Sequence, residues 1–152
     1  MYEEAKMEKL TINLPPVEIG RVDILVEAGY YPSRTEFIRA AIRKTLDSHQ
    51  AFIDSKIDEQ REEIKVAEAD HKKYSSTLFG MGVISINKKT FERALSQSKK
   101  VKIHVIGMLN LERDITPELI EETVDTIKVY GVLRASKEVK DALQKIKRKD
   151  KV

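Results

Sequence analysis

Residues 8–16 read EKLTINLPP. Leu10, Ile12 and Leu14 alternate with Lys9, Thr11 and Asn13, the period of a strand with one apolar and one polar face. Pro15 and Pro16 end the pairing, because proline has no N–H to donate to a ladder. A single strand of this length is not stable in water, so it needs a partner. No second strand occurs within the next 50 residues, which makes the identity of that partner the question that decides the fold.

The chain beyond the prolines reads as helical. Pro16 suits a first helical turn. Ile19, Val22 and Val26 recur at helical spacing with Leu25 widening the stripe, and Gly29 stands where a left-handed C′ residue closes a helix. After Tyr30-Tyr31-Pro32 comes SRTE, residues 33–36, a capping box. The Ser33 hydroxyl is expected to accept from the Glu36 amide, while the Glu36 carboxylate reaches back to Ser33. The second helix carries Phe37, Ile38, Ala41, Ile42 and Leu46 on one face, and Arg34, Arg39, Arg43 and Lys44 on the other.

Composition bounds the function. The chain of 152 residues is 41% hydrophobic and 35% charged, which suits a soluble globular protein. It has no cysteine, so disulfides, cysteine-ligated zinc and thiol nucleophiles are excluded. No signal-like N-terminal run and no stretch of 18 apolar residues occurs, and a cytoplasmic protein is expected. The net charge of +3 is unevenly spread: residues 1–49 hold seven basic and eight acidic side chains, residues 99–152 thirteen and nine. A nucleic-acid reading of the N-terminal part must therefore rest on placement rather than on bulk charge.

Residues 50–77 lack glycine and proline and read as a helical linker running to about 76. A heptad frame with Leu46, Ile53, Gln60, Ala67 and Tyr74 at d, and Gln50, Ile57, Ile64, His71 and Leu78 at a, has five large aliphatics and three polar residues. Such a seam connects domains but does not drive pairing. Residues 78–152 contain a repeat. Ile103, Val105, Gly107, Leu109, Ile115 and Leu119 recur 24 residues later as Ile127, Val129, Gly131, Leu133, Val139 and Leu143. A shift of 25 in the other direction gives Leu78, Gly80, Gly82, Ile84, Thr90 and Ala94. Each unit reads as a strand with a central glycine, a turn and a helix, with TPEL at 116–119 and SKEV at 136–139 as helix starts. A solenoid and a compact α/β sandwich both fit this pattern.

KLTINLP at 9–15 and VDILVEAGYYPSRTEFIRAAIRK at 22–44 together resemble the ribbon-helix-helix family of transcription regulators, the CopG, MetJ and Arc class. The resemblance covers about the first third of the chain. It implies an intertwined ribbon-helix-helix head over 1–49, and with the patterns read above the whole is expected to be an α+β protein with a helical linker over 50–77 and a βα-repeat domain over 78–152. It also implies a partner for the first strand, namely the same strand of a second chain. The paired ribbon enters the major groove of double-stranded DNA, which is wide enough to take it. Leu10, Ile12 and Leu14 then face the core of a homodimer, and Lys9, Thr11 and Asn13 face the bases. Lysine suits guanine, asparagine adenine, and threonine offers a hydroxyl and a methyl. The Ser33 and Arg34 amides at the second helix N-terminus, supplemented by the Arg34 side chain, hold a phosphate.

The resemblance further implies a transcriptional repressor. Its repeats would mediate oligomerisation, up to a tetramer, or take a protein or small-molecule partner. The rivals are an antitoxin with the same head and a scaffold that does not bind DNA. No enzyme, cofactor or metal is expected. His49, His71 and His104 are scattered, and the clustered His and Cys of the family's nickel-responsive members are lacking. Glu121 and Glu122 have no visible acid–base partner. The glycines at 80, 82, 107 and 131 recur with the repeat, which favours close backbone packing over a phosphate loop. The basic run at 145–151 reads as a solvated terminus rather than a DNA contact.

Overall fold

The structure, a computed structural model, describes residues 7–71 and 75–149. The chain divides between Glu59 and Gln60 into two compact units.

The first unit contains α1 (Pro16–Glu27), α2 (Arg34–Ser48) and the start of α3 (Gln50–His71). Proline opens α1 at a position where the missing N–H costs nothing. The helix closes in a Schellman turn, in which the Gly29 amide donates to Val26 and the Tyr30 amide to Leu25, each at 3.0 Å. Gly29 sits at φ +80°, a conformation that disfavours any side chain with a Cβ. Tyr31 meets Phe37 edge to face, with centroids 5.0 Å apart, and this contact fixes the turn between the helices. Val22 is the buried residue of α1, and α2 has none. Two helices of this length enclose too little volume to bury both apolar stripes.

The second unit repeats strand and helix three times: β1 (Ser75–Ile86), α4 (Lys88–Ser96), β2 (Lys100–Leu111), α5 (Pro117–Thr123), β3 (Val124–Arg134) and α6 (Lys137–Lys149). The three strands form one parallel sheet in chain order, β1-β2-β3. Short polar caps start each helix. Asn87 Oδ1 accepts from the Thr90 amide at 3.2 Å, and Thr116 Oγ1 from the Leu119 amide at 3.3 Å. Ser136 Oγ accepts from the Val139 amide at 3.3 Å. All three helices pack on one face of the sheet. Phe91 and Ala94 of α4, Leu119 and Ile120 of α5, and Val139, Leu143 and Ile146 of α6 share one core with Val101, Ile103, Val105, Leu109 and Ile127.

Pairing in the sheet matches the sequence repeat. Leu78 stands beside Ile103 and Ile127, Gly82 beside Gly107 and Gly131, and Ile84 beside Leu109 and Leu133. The glycine column is a close approach of backbones. A Cβ on Gly107 would overlap the carbonyl oxygen of Gly82, and one on Gly131 that of Gly107. On the opposite face, Phe79, Met81 and Val83 line up with His104, Ile106 and Met108, then with Lys128, Tyr130 and Val132. Gln60 and Arg61 lie on this face. Gln60 Nε2 donates to the Tyr130 hydroxyl at 3.1 Å, and the Arg61 guanidinium stacks 5.3 Å from the Phe79 ring centre.

Two expectations need adjustment. The linker helix, expected to reach 76, is described to His71, and Ser75 already belongs to β1. The heptad position Tyr74 lies outside the described residues, as do residues 150–151 of the basic tail. The strand expected over 8–14 is not formed within one chain, where residues 7–15 carry no regular secondary structure. A strand exists through its ladder, and no other extended segment of the first unit lies in the sequence to supply one.

Candidate nucleic-acid interface

Lys9, Thr11 and Asn13 lie together on the segment that leads into α1, and all three are exposed. Their alternates become progressively covered toward the prolines: Leu10 is 75% exposed, Ile12 46% and Leu14 37%. Leu14 reaches the helices. With Val22, Leu25, Phe37 and the stems of Glu18 and Arg21 it lines an open cleft of about 310 Å³. Leu14 of the segment thus shares one cleft with Val22 and Leu25 of α1 and Phe37 of α2, while Leu10 and Ile12 stay exposed beside Lys9, Thr11 and Asn13.

The second element is the start of α2. Ser33, in extended conformation, caps the helix by accepting from the Glu36 amide at 3.2 Å. The return half of the capping box is not made. The Glu36 carboxylate instead takes Arg39 Nη1 at 2.6 Å, because an i,i+3 ion pair on the helix surface competes with the longer reach back to Ser33. The first-turn amides of α2 have no acceptor inside the helix and add the positive end of its dipole, a setting suited to an anion.

Arg34 is held from behind. Its Nε and Nη2 each donate to one carboxylate oxygen of Asp23 on α1, both at 2.6 Å, a bidentate clasp between the helices. The hydrogen bond and charge of Arg34 lower the Asp23 pKa below its ordinary 3.8, and the Arg34 pKa is raised for the same reason. The guanidinium expected to point at a phosphate is therefore already paired with a carboxylate. Asp23 is not legible as a site residue in the sequence, because 11 residues and a turn separate it from Arg34. Its position on the polar side of α1 is the one available signal.

Among the described residues, no group of three or more His, Cys, Asp or Glu is placed to hold a metal ion. His49 closes α2, and His104 is buried on β2 between Phe79 and Lys128. No helix among the described residues is long and apolar enough to cross a membrane.

A family model described as the ribbon-helix-helix transcriptional regulator family matches residues 5–78 and again 65–140. The chain belongs to that family. Among curated proteins, the transcriptional regulator CdrS of Halobacterium salinarum is 42% identical over 43 residues, 28% of this chain and 78% of that protein. An uncharacterized protein of Methanocaldococcus jannaschii is 38% identical over 39 residues, 26% of this chain and 40% of that protein. No solved structure matches the chain. The protein is a DNA-binding transcriptional regulator.

Proposed function

We propose that the protein is a cytoplasmic homodimeric repressor whose residues 8–14 pair antiparallel with the same residues of a second copy and enter the major groove of DNA. What supports this reading is the alternation of Leu10, Ile12 and Leu14 with Lys9, Thr11 and Asn13, together with the covering of Leu14 at the helices. Leu14 lines an open cleft with Val22 and Phe37, and the alternating Lys9, Thr11 and Asn13 are exposed and absent from its lining. A second copy would fill the cleft with its own Leu10, Ile12 and Leu14, so dimer formation and creation of the reading surface become one event. Lys9, Thr11 and Asn13 supply base-edge donors and acceptors. The Ser33 and Arg34 amides hold a phosphate and set the register, with the Arg34 side chain shared between that phosphate and Asp23.

The near-neutral head bears on mechanism. With seven basic and eight acidic residues over 1–49, it has little long-range attraction for DNA, so specific contacts carry most of the affinity. The test is selection of bound DNA from a random pool, followed by fluorescence anisotropy on the selected duplex at two salt concentrations. Recovery of a palindromic site whose affinity falls with salt is the expected result. Absence of binding at low salt to any duplex rejects the reading.

A further inference from the structure

β1 is an edge strand without the chemistry of an edge. Its twelve residues, SSTLFGMGVISI, include no charged side chain and no proline. Exposed edges are ordinarily blunted by charges, prolines or bulges, because their unpaired N–H and C=O groups recruit other chains. The other two strands show the contrast. β3, the opposite edge, carries Asp125, Lys128 and Arg134, and even the central β2 carries Lys100 and Lys102. β1 has the composition of an interior strand at the margin of the sheet.

The surroundings agree with this. Met81 and Val83 remain 55% and 49% exposed, even with Arg61 stacked on the neighbouring Phe79. On the helix side, Leu78, Gly80, Ile84, Ile86 and Thr90 line a cleft of about 190 Å³ along the strand. Gly107 and Gly131 each have the backbone of the preceding strand against them, whereas a Cβ on Gly82 would meet nothing within 4 Å. The β1 backbone is thus open to a neighbour at the position where each later strand already has one.

We propose that β1 pairs antiparallel with β1 of a second copy of this chain, giving a six-stranded sheet in the order β3-β2-β1-β1-β2-β3. Self-pairing explains the missing charges. Across a two-fold axis, residues near the strand centre oppose themselves or close neighbours, so a single lysine or aspartate would face its twin. A strand with none meets no such repulsion in any register. The pairing closes at two copies and leaves outward the edge that Asp125, Lys128 and Arg134 protect. Head-to-tail pairing of β3 onto β1 would bury those charges' edge and leave two further ends open. The contact stands on the second unit alone and does not depend on how the N-terminal head acts.

The natural absence of cysteine makes the test direct. Phe79→Cys, Met81→Cys and Val83→Cys are made singly in the full chain and oxidised, then run on non-reducing gels. The expected result is a disulfide-linked dimer for at least one of the three and none for Tyr130→Cys. A mixture of Met81→Cys and Tyr130→Cys chains should give no mixed species. Hydrogen exchange of residues 75–86 is read in parallel. Val83→Lys should speed exchange there at least about tenfold, with β2 protection unchanged as evidence that the unit stays folded. Absence of any β1 crosslink, a crosslink only in the mixed sample, or identical β1 exchange in Val83→Lys and the natural chain overturns the proposal.

Discussion

Asp23 and Arg34 clasp one another through two hydrogen bonds of 2.6 Å, joining α1 to the first turn of α2 at the proposed phosphate site. Both side chains are largely in solvent, so the pair acts on orientation and local charge more than on stability. Removing the carboxylate frees the guanidinium for an anion. Asp23→Ala is expected to bind mixed-sequence DNA severalfold more tightly and to add about one to the slope of log affinity against log salt. Anisotropy titrations at three salt concentrations check this, and an unchanged slope would show that Arg34 does not reach the phosphate.

The same pair sets a pH signature. The Asp23 pKa is depressed in the folded chain, so the clasp contributes fully above the ordinary carboxylate value of 3.8 and is lost as pH falls through the lowered value. No change is expected between pH 5 and 8. Carboxyl chemical shifts followed by NMR should place the Asp23 midpoint below 3.8 and return it toward that value in Arg34→Ala.

Thr11→Ala and Asn13→Ala test base reading. Each is expected to cost about 1–3 kcal/mol on the selected site, with little change on unrelated duplexes, so that discrimination falls more than affinity. Equal loss on all sequences would assign these side chains to ribbon stability instead.

The glycine column predicts a gradient of damage. Gly107→Ala and Gly131→Ala force a Cβ into the preceding strand's carbonyl, at φ values of +129° and +125°. Each should cost more than about 2 kcal/mol of unfolding free energy by denaturant titration. Gly82→Ala carries the strain of φ +101° without an overlap inside the chain, and it should cost less. An equal cost at all three positions would mean that backbone conformation, and not strand approach, governs the column.

Phe91 of α4 is fully buried in the core of the second unit. Phe91→Ala is expected to destabilise that unit by about 3–5 kcal/mol, a large part of the ~5–15 kcal/mol available to a domain. Circular dichroism melts of the full chain check this, with the second-unit transition shifting down in temperature.

Much of this architecture is written in local pattern. Pro16 at a helix start, Gly29 at its end and Ser33 as a cap each act over a few residues, where steric and hydrogen-bonding preferences decide alone. The register of the second unit is legible too. The offsets of 24 and 25 residues that align Gly82, Gly107 and Gly131 in sequence are the offsets at which the strands pair, because equivalent side chains need equivalent neighbours.

Tertiary structure alone decided which groups meet across distance. The Asp23–Arg34 clasp arises from the angle that the Gly29 turn imposes between two helices, and no periodicity encodes it. Competition between Arg39 and the Ser33 amide for the Glu36 carboxylate is settled by geometry too. The placement of α4, α5 and α6 on one face, with β1 left at a margin, comes from strand order. Residues 8–14 show both sides of this division: their alternation has the period of a strand, but a ladder needs a second backbone, and the first unit of one chain does not supply it.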